Sequence, residues 1–252
     1  MIVERRRAHV DVAATKSSVV DVVTEVDIAA EELLRSRIAE LRPGDGVLGE
    51  EQADTASTTG ITWVVDPIDG TVNYLYGLPH YSVSVAAVSG NPKPGEWTLE
   101  AGAVFEGGAG RTWSAARGEG ADVDGAPLTL GAAAPLDQTL LGTGFQYVAH
   151  RREFQGAMTA RMLGQVRDIR RLGSAAIDLC LAAAGRLDAY AEHWLNPWDM
   201  AAGALIAAEA GLRVEGLDGA PAGSYMTIAA HPDTFDSLHA ALVSAGAAEH
   251  CD

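Results

Sequence analysis

Two carboxylates at the end of an apolar run are the residues of this chain best suited to chemistry. Asp66 and Asp69 follow residues 61–65, an apolar run that predicts a buried strand. Pro67 and Gly70 are expected to end that strand and to bend the backbone. Two carboxylates held at one edge of a sheet repel each other unless a cation lies between them. Their hard oxygen atoms favour Mg²⁺, Mn²⁺ or Ca²⁺ over zinc.

The residues after Asp69 suggest an anion as the second ligand. Gly70 and Thr71 offer backbone N–H groups at the turn, and such groups bind phosphate well. This stretch therefore fits a metal-and-phosphate site. It also fits an ordinary turn, because Asp-Pro and Asp-Gly are common turn pairs and most Asp-x-x-Asp spacings belong to solvated loops. The stretch alone leaves both interpretations open.

Composition excludes several classes of protein. The 252 residues are 48% hydrophobic and 21% charged, which fits a globular chain with one large domain or two closely packed ones. A formal net charge of −16 argues against non-specific nucleic-acid binding and against binding to an anionic membrane surface. No apolar run is long enough to span a membrane, and none follows the N-terminal arginines as in a secretory signal. With only two cysteines, we expect a cytoplasmic protein without a disulfide framework.

The elements that must position these carboxylates change in character near Leu136. Before it, predicted strands follow one another with little helix, which indicates an antiparallel or mixed sheet. After it, strands alternate with helices, which indicates an α/β arrangement. We therefore divide the chain into residues 1–135 and 136–252, and expect one compact catalytic unit. Strands are predicted at 47–49, 61–65, 81–88, 97–105, 112–115, 127–130, 139–144, 165–169, 187–191 and 226–230, and helices at 3–12, 28–41 (capped by Asp27), 153–163, 174–184, 200–210 and 232–244.

Further acidic residues lie at the ends of predicted elements. Glu50 and Glu51 follow the short strand 47–49, and Asp199 precedes the helix 200–210. A carboxylate at a helix N-terminus is stabilised by the helix dipole, so Asp199 fits a cap as well as a ligand. The Asp-x-Asp pair of residues 122–124 lies in the glycine-rich stretch 118–125, which we interpret as a loop with a turn.

Three blocks of sequence contain most of these acidic residues. Residues 49–51 are Gly-Glu-Glu, residues 63–71 are Trp-Val-Val-Asp-Pro-Ile-Asp-Gly-Thr, and residues 198–203 are Trp-Asp-Met-Ala-Ala-Gly. Taken together, the blocks resemble the signatures of the inositol monophosphatase family of Mg²⁺-dependent, lithium-sensitive phosphatases. The resemblance covers nearly the whole chain. It implies an α/β (α+β) fold, a layered αβαβα sandwich of the inositol monophosphatase and fructose-1,6-bisphosphatase type, and it implies a homodimer.

The resemblance implies a role for each acidic residue. Glu50 and Asp66, with the carbonyl of Ile68, would bind a first Mg²⁺ ion. Asp66, Asp69 and Asp199 would bind a second, and a third, weaker ion would lie beside Glu50, which also counts among the catalytic residues. Mn²⁺ is an alternative cofactor. The ions would neutralise the phosphoryl oxygens and activate the attacking water.

Other positions would serve the water and the phosphate. Asp27 and Thr71 would orient and deprotonate the water, and the N–H groups of Gly70 and Thr71 would bind the phosphate. Glu51 would support the ligands from behind. Lys16 stands where the family has a lysine near the site, although a solvated lysine explains it equally well. The spacing of the two aspartates favours attack by water, because an aspartyl-phosphate enzyme needs Asp-x-Asp.

The leaving alcohol is the least constrained part of the prediction. The family's hydroxyl-binding positions fall on Gly173, Ser174, Ala175 and Glu192, together with the ligand Asp69. Inositol 1-phosphate is the first choice of substrate. Glu192 would also suit the amine of histidinol phosphate, which is the second choice, and fructose 1,6-bisphosphate and an adenosine bisphosphate follow.

The residues beside Glu192 depart from the inositol-specific members of the family. These departures are His193, Trp194 and Pro197, and we interpret His193 as a surface-loop histidine. A non-catalytic regulatory protein is the alternative from another class. The complete set of acidic ligands and the negative charge argue against that alternative and against direct contact with RNA.

Overall fold

The computed structural model describes residues 1–6, 12–15 and 22–249. Within these residues, five longer helices pack around two main sheets, and two short helices lie at the N-terminus and in a loop. The helices are α1 (Ile2–Arg5), α2 (Glu25–Leu41), α3 (Thr71–Leu75), α4 (Ala149–Met162), α5 (Ala175–Ala183), α6 (Pro197–Glu209) and α7 (Pro232–Ser244). A small antiparallel pair consists of β1 (Val12–Thr15) and β2 (Val22–Thr24).

The two main sheets come from different parts of the chain. The first has strands in the order β3 (Gly46–Gly49), β4 (Ile61–Asp69), β5 (Ser82–Gly90), β6 (Trp97–Glu106), β7 (Arg111–Ala116), β8 (Gly120–Val123) and β9 (Ala126–Pro127). Only its β3–β4 pair is parallel. The second is mixed and has the order β11 (Asp168–Arg170), β10 (Leu140–Gly142), β12 (Ala189–Glu192), β14 (Thr227–Ala230) and β13 (Arg213–Glu215).

The alternation of side chains along the strands fixes the layers. On β4, Val64 faces the core that contains α5 and α6, whereas Val65 faces α2. On β12, Tyr190 points to that same central core, whereas Ala189 points to the core beneath α4 and α7. Successive strand residues face opposite sides of a sheet. The order of layers is therefore α2, first sheet, α5 with α6, second sheet, and α4 with α7, which confirms the layered αβαβα fold.

The central helix layer is thin because its side chains are small. On α6, Ala201 and Ala202 are completely buried. A Cβ atom added at Gly102 of β6 would lie 3.0 Å from the Cα of Ala202, so helix and sheet approach at backbone distance. The Ala-rich helix is thus a core element between two sheets. No helix among the described residues is long and apolar enough to cross a membrane.

Several predicted boundaries were wrong for identifiable reasons. The helix predicted at 28–41 begins at Glu25, because Thr24 rather than Asp27 is its N-cap. The stretch 118–125, predicted as a loop, includes strand β8. The strand predicted at 127–130 is instead β9, which ends at Pro127. Helix α1 ends at Arg5, and most of the remaining predicted helix 3–12 lies outside the described residues. The division at 135/136 stays a prediction.

Candidate active site

A bulge at the end of β4 brings the two aspartates to the same cavity. Asp66 pairs with Ser84 and Asp69 with Ser82, so the four residues from Asp66 to Asp69 oppose three on β5. Such an extra residue resets the alternation of side chains, and Pro67 is tolerated there because a bulge needs fewer ladder donors. The strand therefore continues through Pro67 to Asp69, and the prediction that proline ends it was wrong.

Asp66 is a buried carboxylate that forms no ion pair with any residue that the structure describes. Its side chain is 1% exposed, and its Oδ1 has no hydrogen-bond partner among the described residues. Burial raises its pKa well above the ordinary range, and the charges of Glu50, Asp69 and Asp199 raise it further. A hydrogen bond with the Glu50 side chain also favours the protonated form of Asp66. Burial and the neighbouring negative charges thus act in the same direction on the pKa of Asp66.

Asp69 is fixed from the other half of the chain. Its Oδ2 accepts a hydrogen bond from Ser174 Oγ at 2.7 Å and another from the Ala176 N–H at 2.8 Å. Ser174 is the N-cap of α5, so the N-terminus of that helix points at the carboxylate. Burial raises the pKa of Asp69 to about 6, and these hydrogen bonds oppose the increase. The predicted substrate residue Ser174 therefore also orients a predicted ligand.

Asp199 is both a capping residue and a cavity residue. It is the third residue of α6, and its Oδ2 accepts a hydrogen bond from the Asn196 N–H at 2.6 Å in a capping box. Burial raises its pKa well above the ordinary range, and Glu50 and Asp69 add to the effect. The cap uses one carboxylate oxygen, so the cap interpretation and the ligand interpretation are compatible.

Glu31, which the sequence did not single out, fixes the segment that carries Glu50 and Glu51. Its side chain is fully buried on α2. Its carboxylate accepts hydrogen bonds from the backbone N–H of Glu51 at 2.8 Å and of Gln52 at 3.1 Å, and from Arg35 Nε at 2.8 Å. The available signal was the helical spacing of Asp27, Glu31 and Arg35 along one face of α2.

Asp27 and Thr71 are in contact, as the family resemblance implied. Thr71 Oγ1 lies 3.1 Å from Asp27 Oδ1 and 2.9 Å from the carbonyl oxygen of Ile68, and its single proton can go to either. Asp27 is completely buried, and its other oxygen accepts from the backbone N–H of Thr24 at 2.9 Å and from the Thr24 hydroxyl. The capping box of α2 thus aims one Asp27 oxygen at Thr71.

The turn after Asp69 requires glycine at position 70. Gly70 has φ +89°, in the left-handed region. A Cβ atom there would lie 2.8 Å from the carbonyl oxygen of His80 and 3.0 Å from that of Gly173. The turn therefore brings residues from both halves of the chain to backbone distance, and Thr71 follows as the first residue of α3.

The acidic residues share a cavity of ≈ 300 Å³, and a smaller one of ≈ 80 Å³ adjoins it. Asp69, Glu192 and Asp199 line both cavities. Glu50 and Asp66 line only the larger, whereas the predicted substrate residues Gly173, Ser174 and Ala175 line only the smaller. Five other predicted residues line neither cavity: Asp27, Glu51, Ile68, Gly70 and Thr71. Lys16 lies outside the described residues.

Glu192 ends β12 at the junction of the two cavities. Burial raises its pKa to about 7, while a hydrogen bond from Tyr190 and the charge of Arg171 oppose the increase. The Tyr190 hydroxyl donates to Glu192 Oε2 at 2.5 Å. A Cβ atom at Gly144 would lie 2.1 Å from the same oxygen, so the glycine makes room for the carboxylate. Glu192 is thus held at the wall where the alcohol was expected.

His193 is buried, so its interpretation as a surface-loop histidine was wrong. Its side chain is 1% exposed, and its Nε2 donates to the carbonyl oxygen of Ala247 at 2.9 Å. Its ring packs edge-on against Phe154 and Tyr225, with centroids 5.5 and 5.8 Å away. Burial lowers its pKa. These partners are distant in sequence, so the local pattern gave no sign of them.

Arg171 and Asp178 are further cavity residues that the sequence did not reveal. Both line the smaller cavity with Glu192. Asp178 lies on α5, is 1% exposed and has an Oδ1 atom without a hydrogen-bond partner among the described residues. Burial raises its pKa well above the ordinary range, and Glu192 and Asp69 contribute. In the apolar helix pattern of 174–184 it looked like an isolated polar residue.

The carboxylates line one cavity without forming a closed coordination shell. Among the described residues, no group of three or more Asp, Glu, His or Cys side chains is spaced to hold a metal ion as it stands. What the geometry provides is a set of buried carboxylates with raised pKa values, including an Asp66 oxygen that has no hydrogen-bond partner among the described residues. Such a set is suited to cations that bind oxygen.

Comparisons with known proteins agree with this geometry. The family model described as the inositol monophosphatase family matches residues 1–247. An inositol-1-monophosphatase of Mycobacterium leprae (strain TN) is 52% identical over 239 residues, which cover 90% of this chain and 80% of that protein. The solved structure of Mycobacterium tuberculosis SuhB is similar with a TM-score of 0.77 at 47% identity, covering 88% of this chain and 85% of that chain.

More distant relatives carry other names. The Nus factor SuhB of Pasteurella multocida (strain Pm70) is 40% identical over 204 residues, which cover 80% of this chain and 74% of that protein. A solved structure described as an IMPase/NADP phosphatase complexed with Mg²⁺ and phosphate has a TM-score of 0.78 at 22% identity. The match covers 95% of this chain and 88% of that chain, and at this identity it shows the fold alone. The match of the family model over nearly the whole chain is decisive. The chain belongs to the inositol monophosphatase family of phosphoric monoester hydrolases.

Proposed function

We propose that this protein hydrolyses a small phosphate monoester in the cavity lined by Glu50, Asp66, Asp69 and Asp199, with Mg²⁺ as cofactor and inositol 1-phosphate as the first choice of substrate. The observation that carries the proposal is the buried Asp66 Oδ1, which has no partner among the described residues and is surrounded by carboxylates. A buried polar atom normally has a partner. A cation is the partner that such surroundings favour.

The donor set fits Mg²⁺. All the side chains concerned are carboxylates, which suit Mg²⁺ or Mn²⁺ rather than zinc. Glu50, Asp66 and the Ile68 carbonyl would hold a first ion, Asp66, Asp69 and Asp199 a second, and a third, weaker ion would lie beside Glu50. When bound, the ions neutralise charge on the phosphoryl oxygens and make the attacking water more acidic. We expect the carboxylates to rotate on loading, because they do not form a closed shell beforehand.

The proton of the attacking water would leave through Thr71 and Asp27. Thr71 Oγ1 accepts a proton from the water as it passes its own proton to Asp27 Oδ1, 3.1 Å away. Asp27 is suited to this role because Thr24 holds its other oxygen and thereby fixes the side chain. The N–H groups of Gly70 and Thr71 would bind the phosphate, and Glu51 would support the segment that bears Glu50.

The alcohol would lie against the junction of the two cavities. Glu192 would accept hydrogen bonds from its hydroxyl groups, beside Gly173, Ser174 and Ala175. Inositol 1-phosphate satisfies such acceptors with neighbouring hydroxyls. Histidinol phosphate would pair its amine with Glu192, and fructose 1,6-bisphosphate and an adenosine bisphosphate are the remaining alternatives. The name of the 52% identical relative, inositol-1-monophosphatase, supports the first choice.

The test is phosphate release with and without Mg²⁺ from a panel of these esters, scored by kcat/KM. We expect Mg²⁺-dependent turnover, greatest on inositol 1-phosphate, and a loss on the order of 10³-fold in Asp69→Asn, because each group aimed at the reacting charge is worth about that much. Asp122→Asn is the matched control, since Asp122 lies on β8 with its Oδ2 bound by Ser114. Wild-type turnover in Asp69→Asn would refute the assignment. Inhibition by Li⁺ is also expected.

A regulatory protein is the second candidate, and the 40% identical relative named Nus factor SuhB favours it. It would act through protein or ribonucleoprotein contacts, without need of turnover. Failure of every ester in the panel, with Mg²⁺ bound, would favour this candidate. In both cases we propose a cytoplasmic homodimer, and sedimentation of the purified chain tests the dimer.

A further inference from the structure

One basic side chain shares the larger cavity with five carboxylates. Among the described residues, Arg151 of α4 is the only basic residue that lines it, and the carboxylates in the lining are those of Glu50, Asp66, Asp69, Glu192 and Asp199. The carboxylates suit cations and hydroxyl groups. A guanidinium in the same space suits an anion. The cavity thus has two parts of opposite charge.

Arg151 is not used to neutralise those carboxylates. It forms no ion pair with any described residue, so it lies more than 4.0 Å from each carboxylate oxygen of the cavity. Its Nε is shielded from solvent and has no hydrogen-bond partner within the described chain. Arg35 and Arg111, by contrast, each donate from Nε to a glutamate at 2.8 and 2.6 Å. A shielded guanidinium donor without an acceptor is costly, which points to a ligand that supplies the acceptor.

Trp194 holds the guanidinium in place. The Arg151 Cζ lies 5.1 Å from the centroid of the Trp194 ring, within cation–π distance. Trp194 has φ +61°, a left-handed conformation that a bulky residue adopts only when its surroundings enforce it. The enforcing contacts are a hydrogen bond from its N–H to the Ser224 carbonyl oxygen at 2.5 Å and packing of its ring against Phe154, 5.6 Å away. The Trp194 ring is therefore fixed in position before any ligand binds.

The neutral polar residues around Arg151 complete the subsite. Gln146 and Asn196 line the same cavity and add donors without negative charge. Gln146 is also bound to Trp194, because its Nε2 donates a hydrogen bond to the Trp194 carbonyl oxygen at 3.4 Å. The Nε donor of Arg151 has no acceptor among the described residues, and the fork of guanidinium donors matches two phosphate oxygens.

We propose that Arg151 and Trp194 bind a second phosphate group, carried by the alcohol part of the substrate, so that sugar or polyol bisphosphates are better substrates than the matching monophosphates. The inference rests on the proposed function and concerns the group that is not transferred. It makes Arg151 a specificity-determining residue. The hydrolysed phosphate still binds at the carboxylate end of the cavity, and the second phosphate lies against the guanidinium.

The test compares two esters that differ only in the distant phosphate: fructose 1-phosphate and fructose 1,6-bisphosphate. We expect the wild-type kcat/KM to be about tenfold or more higher for the bisphosphate, as charge-assisted contacts to one added group allow. Arg151→Gln should remove that preference by lowering kcat/KM for the bisphosphate alone, and Arg151→Lys should retain part of it. Arg152→Gln is the matched control, because Arg152 is the exposed neighbour on α4 and its loss changes the net charge equally.

Two results would overturn the inference: no preference in the wild type, or an equal loss on both esters in Arg151→Gln. Binding gives an independent measurement. In the Asp69→Asn background, calorimetric titration with the two esters should show the same preference, and again only with Arg151 present. Equal affinities there would refute the subsite even if no ester were hydrolysed. Hydrolysis of neither ester by the wild type, with this binding preference intact, would count against the proposed function and leave the subsite supported.

Discussion

Glu106 and Asp66 are buried carboxylates of the same sheet, and they are neutralised in different ways. Glu106, at the end of β6, is 6% exposed and accepts two hydrogen bonds from Arg111, at 2.6 and 3.1 Å, and one from Trp113 Nε1 at 3.3 Å. Asp66, near the end of β4, is 1% exposed, and its Oδ1 has no partner within the described residues. Its charged neighbours are other carboxylates.

The difference separates structural charge from functional charge. A carboxylate that serves the fold is buried together with its own cation, since an unpaired buried charge costs several kcal/mol. Within the described residues, Asp66 has no such counter-ion, and burial beside other carboxylates raises the pKa values of Asp66, Asp69 and Asp199. Carboxyl groups with raised pKa values in a cavity are typical of sites that receive an ion or a substrate. Four experiments test this contrast.

Replacing Asp66 should have the largest effect on activity and the opposite effect on stability. Asp66→Asn removes the carboxylate that both ions would share, so we expect phosphate release to fall by roughly 10³-fold or more. The metal-free variant should melt at a higher temperature than the wild type near neutral pH, because the folded protein no longer has to protonate a carboxylate or bury its charge at this position. Mg²⁺ should raise the Tm of the wild type and leave that of the variant nearly unchanged. A lower Tm in the metal-free variant would show that Asp66 is structural.

Replacing Glu106 should lower the stability of the protein and leave its activity unchanged. Glu106→Gln leaves the Arg111 side chain, which is 21% exposed, without its counter-ion, so we expect a loss of about 1–3 kcal/mol in the free energy of unfolding. Denaturant titration measures this loss. The kcat of the folded variant should equal that of the wild type, because Glu106 lies outside the two active-site cavities. A change in kcat without a change in stability would contradict the contrast.

Glu31 is a structural carboxylate that also supports a predicted metal ligand, so its replacement should have an intermediate effect on Mg²⁺ binding. It is paired with Arg35 like a structural carboxylate, and it also holds the backbone that carries Glu50. We expect Glu31→Gln to weaken Mg²⁺ binding by about 10- to 100-fold, as the loss of a supporting contact behind a metal ligand does. Titration of the substrate-free protein by calorimetry measures the affinity. Glu106→Gln is the matched control, and equal Mg²⁺ affinity in both variants would make Glu31 merely structural.

The smallest expected effect is on the pH dependence of stability. Burial raises the pKa of Asp69 to about 6 and that of Glu192 to about 7 in the folded, metal-free protein. The unfolded chain releases these protons near pH 4, so the folded state binds more protons between pH 4 and 7. The contribution of these groups to stability is therefore complete below pH 4 and is lost as the pH rises through 6 and 7, by on the order of 1–3 kcal/mol.

Melting curves between pH 5 and 8 without metal would show this trend as a falling Tm. Saturating Mg²⁺ should remove the contribution of Asp69 to this fall in Tm, because a bound cation replaces its proton. Glu192→Gln should remove the contribution of Glu192. A Tm that rises steadily over this range in metal-free wild type would mean that both carboxylates are already ionised in the folded protein.

The features predictable from the sequence are those encoded within a few residues. The strand before Asp66, the capping position of Asp199 and the cluster of Glu50 with both aspartates follow from local blocks of sequence. The continuation of β4 through Pro67 was missed because it depends on a bulge against β5. A single-sequence pattern contains no information on such pairing.

Residues that act through distant contacts could not be found in this way. Arg151 precedes the helix predicted at 153–163 and becomes notable only when Trp194 folds beside it. His193 was interpreted as a surface-loop histidine, yet it packs against Phe154 and Tyr225, which are distant in sequence. Glu31 lies within the helix predicted at 28–41, and its position there does not reveal the backbone N–H groups of Glu51 and Gln52 that it binds. In each case tertiary packing, which local propensity does not specify, decides the role.

The hydrogen bonds from Ser174 and Ala176 to Asp69 have a practical consequence. They join the last residue of a strand in one half of the chain to the first turn of a helix in the other. If the chain were cut between residues 135 and 136, neither fragment would contain both Asp69 and the groups that aim it. Enzymatic turnover would then report reassembly of the two pieces, and this phosphatase could serve as a split reporter whose signal requires correct docking of α5 onto β4.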